Sequence, residues 1–140
     1  MTHFFDDNLY FNVTALSRDI TVIAESHFSL LDLTPSDAML LLVVSNKPGV
    51  QPTEISDKIK LAPSTITRMV EKLEKKDLLY RISEGKYTFI QATEKAKALF
   101  PAISETWLNV YKHFDNQLDT LTVEKLISDI SHARKRITKK

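Results

Sequence analysis

The sequence predicts a mainly α-helical fold that carries one small β-hairpin. Three observations lead there. Apolar residues recur three or four apart through most of the chain, the spacing of one helical face. A single stretch from Leu79 to Gln91 alternates instead, and it is rich in aromatic and β-branched residues. Glycine occurs only at Gly49 and Gly85, so few tight turns are available and long helices are expected.

The elements follow in order. Leu9, Val13, Leu16, Ile20 and Ile23 mark an amphipathic helix over residues 7–31, preceded by an apolar arm, Phe4-Phe5. Thr34 can cap the next helix, Pro35 suits its first position, and Asp37 stands where the acidic member of a capping box belongs. The run from Ala38 to Val44 is apolar almost all round, which predicts central burial. Asn46-Lys47-Pro48-Gly49 ends it. A short helix then runs from Gln51 to about Ile59, Lys60-Leu61-Ala62 connects, and Pro63 opens a helix to about Lys76. Ala62 is a poor cap, so Pro63 and local packing must fix that start. Strands 79–83 and 87–91 flank Glu84-Gly85-Lys86, a short hairpin tip. Thr93-Glu94 begins a helical stretch to about Leu118, with Pro101 expected to kink or split it. Leu121-Thr122 begins the last helix, and the basic string from His132 through Arg136 to Lys139-Lys140 reads as a frayed, solvated tail.

Composition removes several function classes. Cysteine is absent, which excludes disulfides, thiolate-metal sites and thiol redox sensing. His3, His27, His113 and His132 stand at no metal-binding spacing. No phosphate-cradling glycine loop or nucleophile motif occurs. No enzyme activity, cofactor or metal is therefore expected. No apolar run is long enough to span a bilayer, and the first residues lack the charge and apolar core of a signal peptide, so a cytoplasmic protein is expected.

Helix, short turn, helix and hairpin in succession form the winged helix-turn-helix pattern. The helix that opens at Pro63 has two different faces. With Ile66 at the centre of a buried side and 100° per residue, Val70 and Leu73 stay within about 40° and Met69 within about 60°. Ser64, Arg68, Lys72 and Lys75 then gather opposite, flanked by Thr65 and Thr67. That outer face suits a DNA major groove. Arg68 can donate two hydrogen bonds to guanine, Ser64 and Thr67 can reach bases or phosphates, and Pro63 and the Thr65 methyl can meet a thymine methyl. Lys72 and Lys75 lie nearer to phosphates, and Thr53 is a candidate backbone contact. Arg81 and Lys86 are the cations of the hairpin. The net charge of +1 gives no overall nucleic-acid signature; residues 52–86 hold eight Lys or Arg against six Asp or Glu. The arrangement of charge must therefore matter more than its sum.

Residues Pro52 to Ile59, Leu61 to Lys76, Leu78 to Arg81 and Thr93 to Ala96 resemble the MarR family of bacterial transcriptional regulators, with Ser64-Thr65-Ile66-Thr67-Arg68 as the most specific stretch. The resemblance implies a homodimer, whose terminal helices interlock and whose winged lobes read a pseudo-palindromic operator. It divides the chain into a dimerisation segment 1–33, a DNA-binding lobe 34–92 and dimerisation helices 93–140. The dimer surface would draw on Phe4, Phe5, Leu9, Tyr10, Val13 and Leu16. From the other end it would draw on Trp107, Leu108, Tyr111, Phe114, Leu118, Leu126 and Ile130. The resemblance further implies a repressor with a small-molecule effector of unspecified identity. Two departures stand out. Asp77 occupies a position usually held by glycine, where positive φ is required. The wing tip is short and carries Glu84, so weak wing contacts are expected. The near-neutral charge and poor wing also fit another class, a protein-interaction adaptor or antagonist without strong DNA binding.

Overall fold

Residues 3–139 are described by a computed structural model. Lys140, the last residue of the basic string, lies outside the described residues. Two units are distinguished, Met1–Thr106 and Trp107–Lys140.

The first unit starts with a helical turn, α1 (Phe4–Asp7), in place of the expected arm. Asn8 leaves the helical region and caps α2 (Leu9–Phe28), its Oδ1 accepting from the Phe11 N–H at 2.7 Å. A 3₁₀ turn (Ser29–Leu31) and Asp32 in the left-handed region end that helix. Thr34 caps α3 (Pro35–Asn46), accepting from the Asp37 N–H at 3.0 Å. Ala38, Leu40, Leu41 and Val44 of α3 are buried, as an all-round apolar helix requires, while Met39 is partly exposed.

The helix-turn-helix follows as α4 (Pro52–Ile59) and α5 (Pro63–Lys75). Lys60 reverses the chain between them with φ 61°. Ala62 supplies no side-chain cap to α5, and Pro63 occupies its first turn. The buried Ile55 of α4 meets a core that includes Ile66, Val70 and Leu73 of α5.

Strands β1 (Leu79–Glu84) and β2 (Tyr87–Ala92) pair antiparallel, from Leu79 opposite Ala92 to Glu84 opposite Tyr87. Only Gly85 of the two loop residues has positive φ, the pattern of a type II′ turn. The hairpin is fastened to the lobe by two backbone bonds, Gly49 N–H to Ile90 O and Ile90 N–H to Val50 O, both 2.9 Å.

Helix α6 (Glu94–Leu118) runs unbroken through Pro101, so the expected split does not occur. Pro101 and Lys97 are both exposed, and water can satisfy the carbonyl that the proline leaves free. In the second unit Asp119 caps α7 (Thr120–Ile137), accepting from the Thr122 N–H at 2.9 Å. Helix α7 carries the basic residues 132–136 in helical form, which corrects the frayed-tail expectation. No single helix among the described residues is long and apolar enough to cross a membrane.

Asp77 has φ 59°, as its glycine-like position requires. The Leu78 N–H reaches the Leu73 carbonyl and the Asp77 N–H reaches the Glu74 carbonyl, both at 2.9 Å. These two bonds form a Schellman motif, with the buried pair Leu73 and Leu78 as its apolar contact. The strain of a left-handed non-glycine residue is thus accepted where α5 must end. Asp77→Gly should stabilise the protein by about 0.5–1 kcal/mol and Asp77→Val should destabilise it by about 1–2 kcal/mol, read from denaturant midpoints. Equal midpoints for the two variants would remove the strain.

Glu54 reaches back to the Gln51 N–H at 3.2 Å and also pairs with Lys47. The hydrogen bond from Lys47, then that from the Gln51 backbone, hold its carboxyl below the ordinary value. A depressed folded value gives stability that is present above the unfolded value and lost as pH falls through the folded one. Glu54→Gln should therefore lower the thermal midpoint at neutral pH, and its gap to the parent should close below the carboxylate range. A gap independent of pH would assign the effect to packing.

Candidate nucleic-acid interface

Helix α5 presents the site. Its buried residues Ile66, Val70 and Leu73 are at most 2% exposed, and this seat turns the opposite side outward. Ser64, Thr67, Arg68, Lys72 and Lys75 are all exposed, as are Pro63 and Thr53, while Thr65 is half-buried. The face predicted from helical angle is therefore present in one place. Thr67 donates its hydroxyl proton to the Pro63 carbonyl at 3.1 Å, which leaves its oxygen as the outward group. An Arg68 nitrogen lies 3.5 Å from the Thr65 hydroxyl, a long contact that leaves most guanidinium donors available.

The cations are less free than their positions suggest. Lys72 Nζ donates to Asp37 Oδ2 at 2.7 Å, and the Asp37 side chain is only 2% exposed. Arg81 Nε lies 2.9 Å from Glu74 Oε1. Lys76 donates to the Asp32 carbonyl at 2.6 Å and stands 3.4 Å from its carboxylate. Lys86 sits 5.6 Å from the Tyr87 ring centre, a cation–π distance. Among the described residues, Arg68, Lys75 and Lys86 are the predicted DNA-facing cations outside any ion pair. Asp37 also differs from its expected capping role. Its N–H serves Thr34, but its carboxylate serves Lys72.

The model of the MarR family matches residues 33–84, from just before α3 to the end of β1. The chain is 30% identical over 122 residues to the HTH-type transcriptional regulator MhqR of Bacillus subtilis, covering 84% of this chain and 81% of that protein. The chain belongs to the MarR family. It is also 26% identical over 102 residues to the HTH-type transcriptional regulator SarZ of Staphylococcus aureus, covering 71% and 69% of the two chains. The transcriptional repressor CouR, bound to a 23-mer DNA duplex, shares the fold with a TM-score of 0.86. That match covers 96% of this chain and 97% of CouR at 16% identity, and CouR has also been solved with p-coumaroyl-CoA.

MarR-family membership places α5 as the second helix of the DNA-binding motif and the β1–β2 hairpin as its wing. The wing's cations divide, since Arg81 is held by Glu74 and Lys86 leans on Tyr87. The acidic partners Asp37, Glu74 and Asp32 are not among the site residues expected from the sequence. One signal for Asp37 was available. A carboxylate beside Ala38, Leu40 and Leu41 on a core helix needs a cation wherever it is buried.

The terminal helices carry the residues expected at a dimer surface. In the first unit Phe4, Phe5, Leu9, Tyr10, Val13 and Leu16 are exposed, Tyr10 at 79% and Leu9 at 71%. In the second unit Leu108, Tyr111, Leu118 and Ile130 are exposed, whereas Trp107, Phe114 and Leu126 are half-buried.

Proposed function

We propose that this MarR-family chain is a homodimeric, sequence-specific repressor that reads a pseudo-palindromic operator through α5. The observation that carries the reading is the outward face of Ser64, Thr67, Arg68 and Lys75, set opposite a fully buried seat. Arg68 reads a guanine, Ser64 and Thr67 meet bases or phosphates, and Pro63 and the Thr65 methyl offer apolar contact. Lys75, Thr53 and Lys86 supply backbone contacts, Arg81 takes a lesser part because Glu74 holds it, and Lys72 stands beside this set with its ammonium held by Asp37. CouR, a repressor seen with DNA and with p-coumaroyl-CoA, supports both the repressor role and a small-molecule effector. A MarR-like regulator of this kind acts in the cytoplasm.

Selection of bound fragments from random duplex DNA supplies the operator. Arg68→Ala should then weaken specific binding by about 1–3 kcal/mol and relax preference at one base pair. Unchanged operator binding would remove Arg68 from the reading role.

Dimerisation is supported by the exposed apolar residues of α1 and α2, a set too large to leave in water without a partner. Paired substitution of Leu9 and Tyr10 by Asp should shift the species seen in sedimentation from twice the chain mass to one. A parent chain that sediments as a monomer at micromolar concentration would end this reading.

The internal ion pairs favour a second reading, a winged-helix adaptor with weak DNA affinity. Phosphate contacts release counterions, so duplex binding that falls steeply with salt supports the regulator, and a flat response supports the adaptor.

A further inference from the structure

The Asp37–Lys72 pair ties α5 to α3. Lys72 stands on the outward face of α5, yet its ammonium points back to α3, where it meets a carboxylate that is 2% exposed. The Lys72 side chain itself is 46% exposed. Both residues line an open groove of about 340 Å³, together with Thr34, Thr65 and Arg68. The ammonium therefore borders open space and is held toward α3 by Asp37. A buried carboxylate retains a cation strongly, because losing it leaves a charge in a poorly solvated place.

We propose that Asp37 limits the DNA affinity of this protein by competing with a backbone phosphate for Lys72. The inference rests on α5 being the DNA-reading helix. Asp37 touches no DNA in this scheme; it is a positioning residue that acts through Lys72. It withholds one cation from the phosphate-contacting set, so non-specific attraction is lowered while Arg68 remains available for bases. The withheld contact is one that any DNA sequence would supply, so affinity falls on operator and unrelated DNA alike, and base reading makes up a larger share of what remains.

The test is the salt dependence of duplex binding, measured with the full chain on operator and on unrelated DNA. One added phosphate contact steepens the slope of log K against log salt by about 0.9. Asp37→Asn keeps the side-chain volume and removes the charge. It should steepen the slope by about one unit and tighten binding to both duplexes several-fold at about 0.1 M salt. Adding Lys72→Gln to that variant should return the slope to the parent value. A purely structural role for Asp37 would instead lower thermal stability and weaken binding, with no steeper slope, and that result overturns the proposal.

A measurement on the parent chain covers the case in which Asp37→Asn fails to fold. A hydrogen-bond coupling from Lys72 Nζ to phosphorus in the parent complex would overturn the proposal, and its absence together with such a coupling from Lys75 would support it. The underlying reading fails separately. A parent chain without salt-dependent binding, indifferent to Arg68→Ala, would sink α5 as the reading helix. A parent that binds while Asp37→Asn leaves its slope unchanged would sink only the role of Asp37.

Discussion

The seating of α5 on Ile66, Val70 and Leu73 is the constraint from which the functional surface follows. Each of these side chains contributes about 1.5–3 kcal/mol through burial. Exposed ion pairs on the same helix contribute about 0–1 kcal/mol each. The apolar term therefore decides the rotation of the helix about its own axis. Once that rotation is set, Ser64, Thr67, Arg68 and Lys75 have no inward option. The hairpin is placed by the same core, since Leu78, Leu79 and Ile90 are buried with the α5 residues and Val50 ties β2 to the connection before α4.

Much of this was legible in the sequence because the signals are local. The Thr34-Pro35 start, the Pro63 start, the change of period after Asp77 and the Gly85 turn each depend on a few neighbouring residues. Asp77 is instructive. Its left-handed backbone was expected only from the position it holds in a resembling family, and the Schellman bonds supply the physical reason. The misreadings were local signals that tertiary context or a competing cap overrode. Asn8 looked like a helix-interior residue, but its side chain served Phe11 better as a cap. Pro101 looked like a break, but it sits on an exposed side of a long helix, where the cost of one missing bond is small beside the turns that follow.

The site was half legible, for a different reason. Which side chains point outward is a matter of helical angle and can be counted. Which of them remain free depends on residues far away in the chain. Lys72 finds Asp37 across 35 positions and Lys76 finds Asp32 across 44. No periodicity reports such pairings. A count of cations between Pro52 and Lys86 therefore overstates the charge left outside internal ion pairs.

A near-neutral regulator becomes intelligible in these terms. Non-specific attraction scales with the number of phosphates neutralised, and it falls with every cation that an internal carboxylate holds. Base reading depends instead on a few donors in fixed geometry, and it is untouched by that loss. If α5 reads DNA as proposed, holding Lys72 and Arg81 on carboxylates of the same chain shifts weight from the first term to the second. The buried position of Asp37 strengthens this bias. An exposed acid would surrender its lysine to the dense charge of a duplex, whereas a carboxylate as little exposed as that of Asp37 gives up its counter-charge at greater cost.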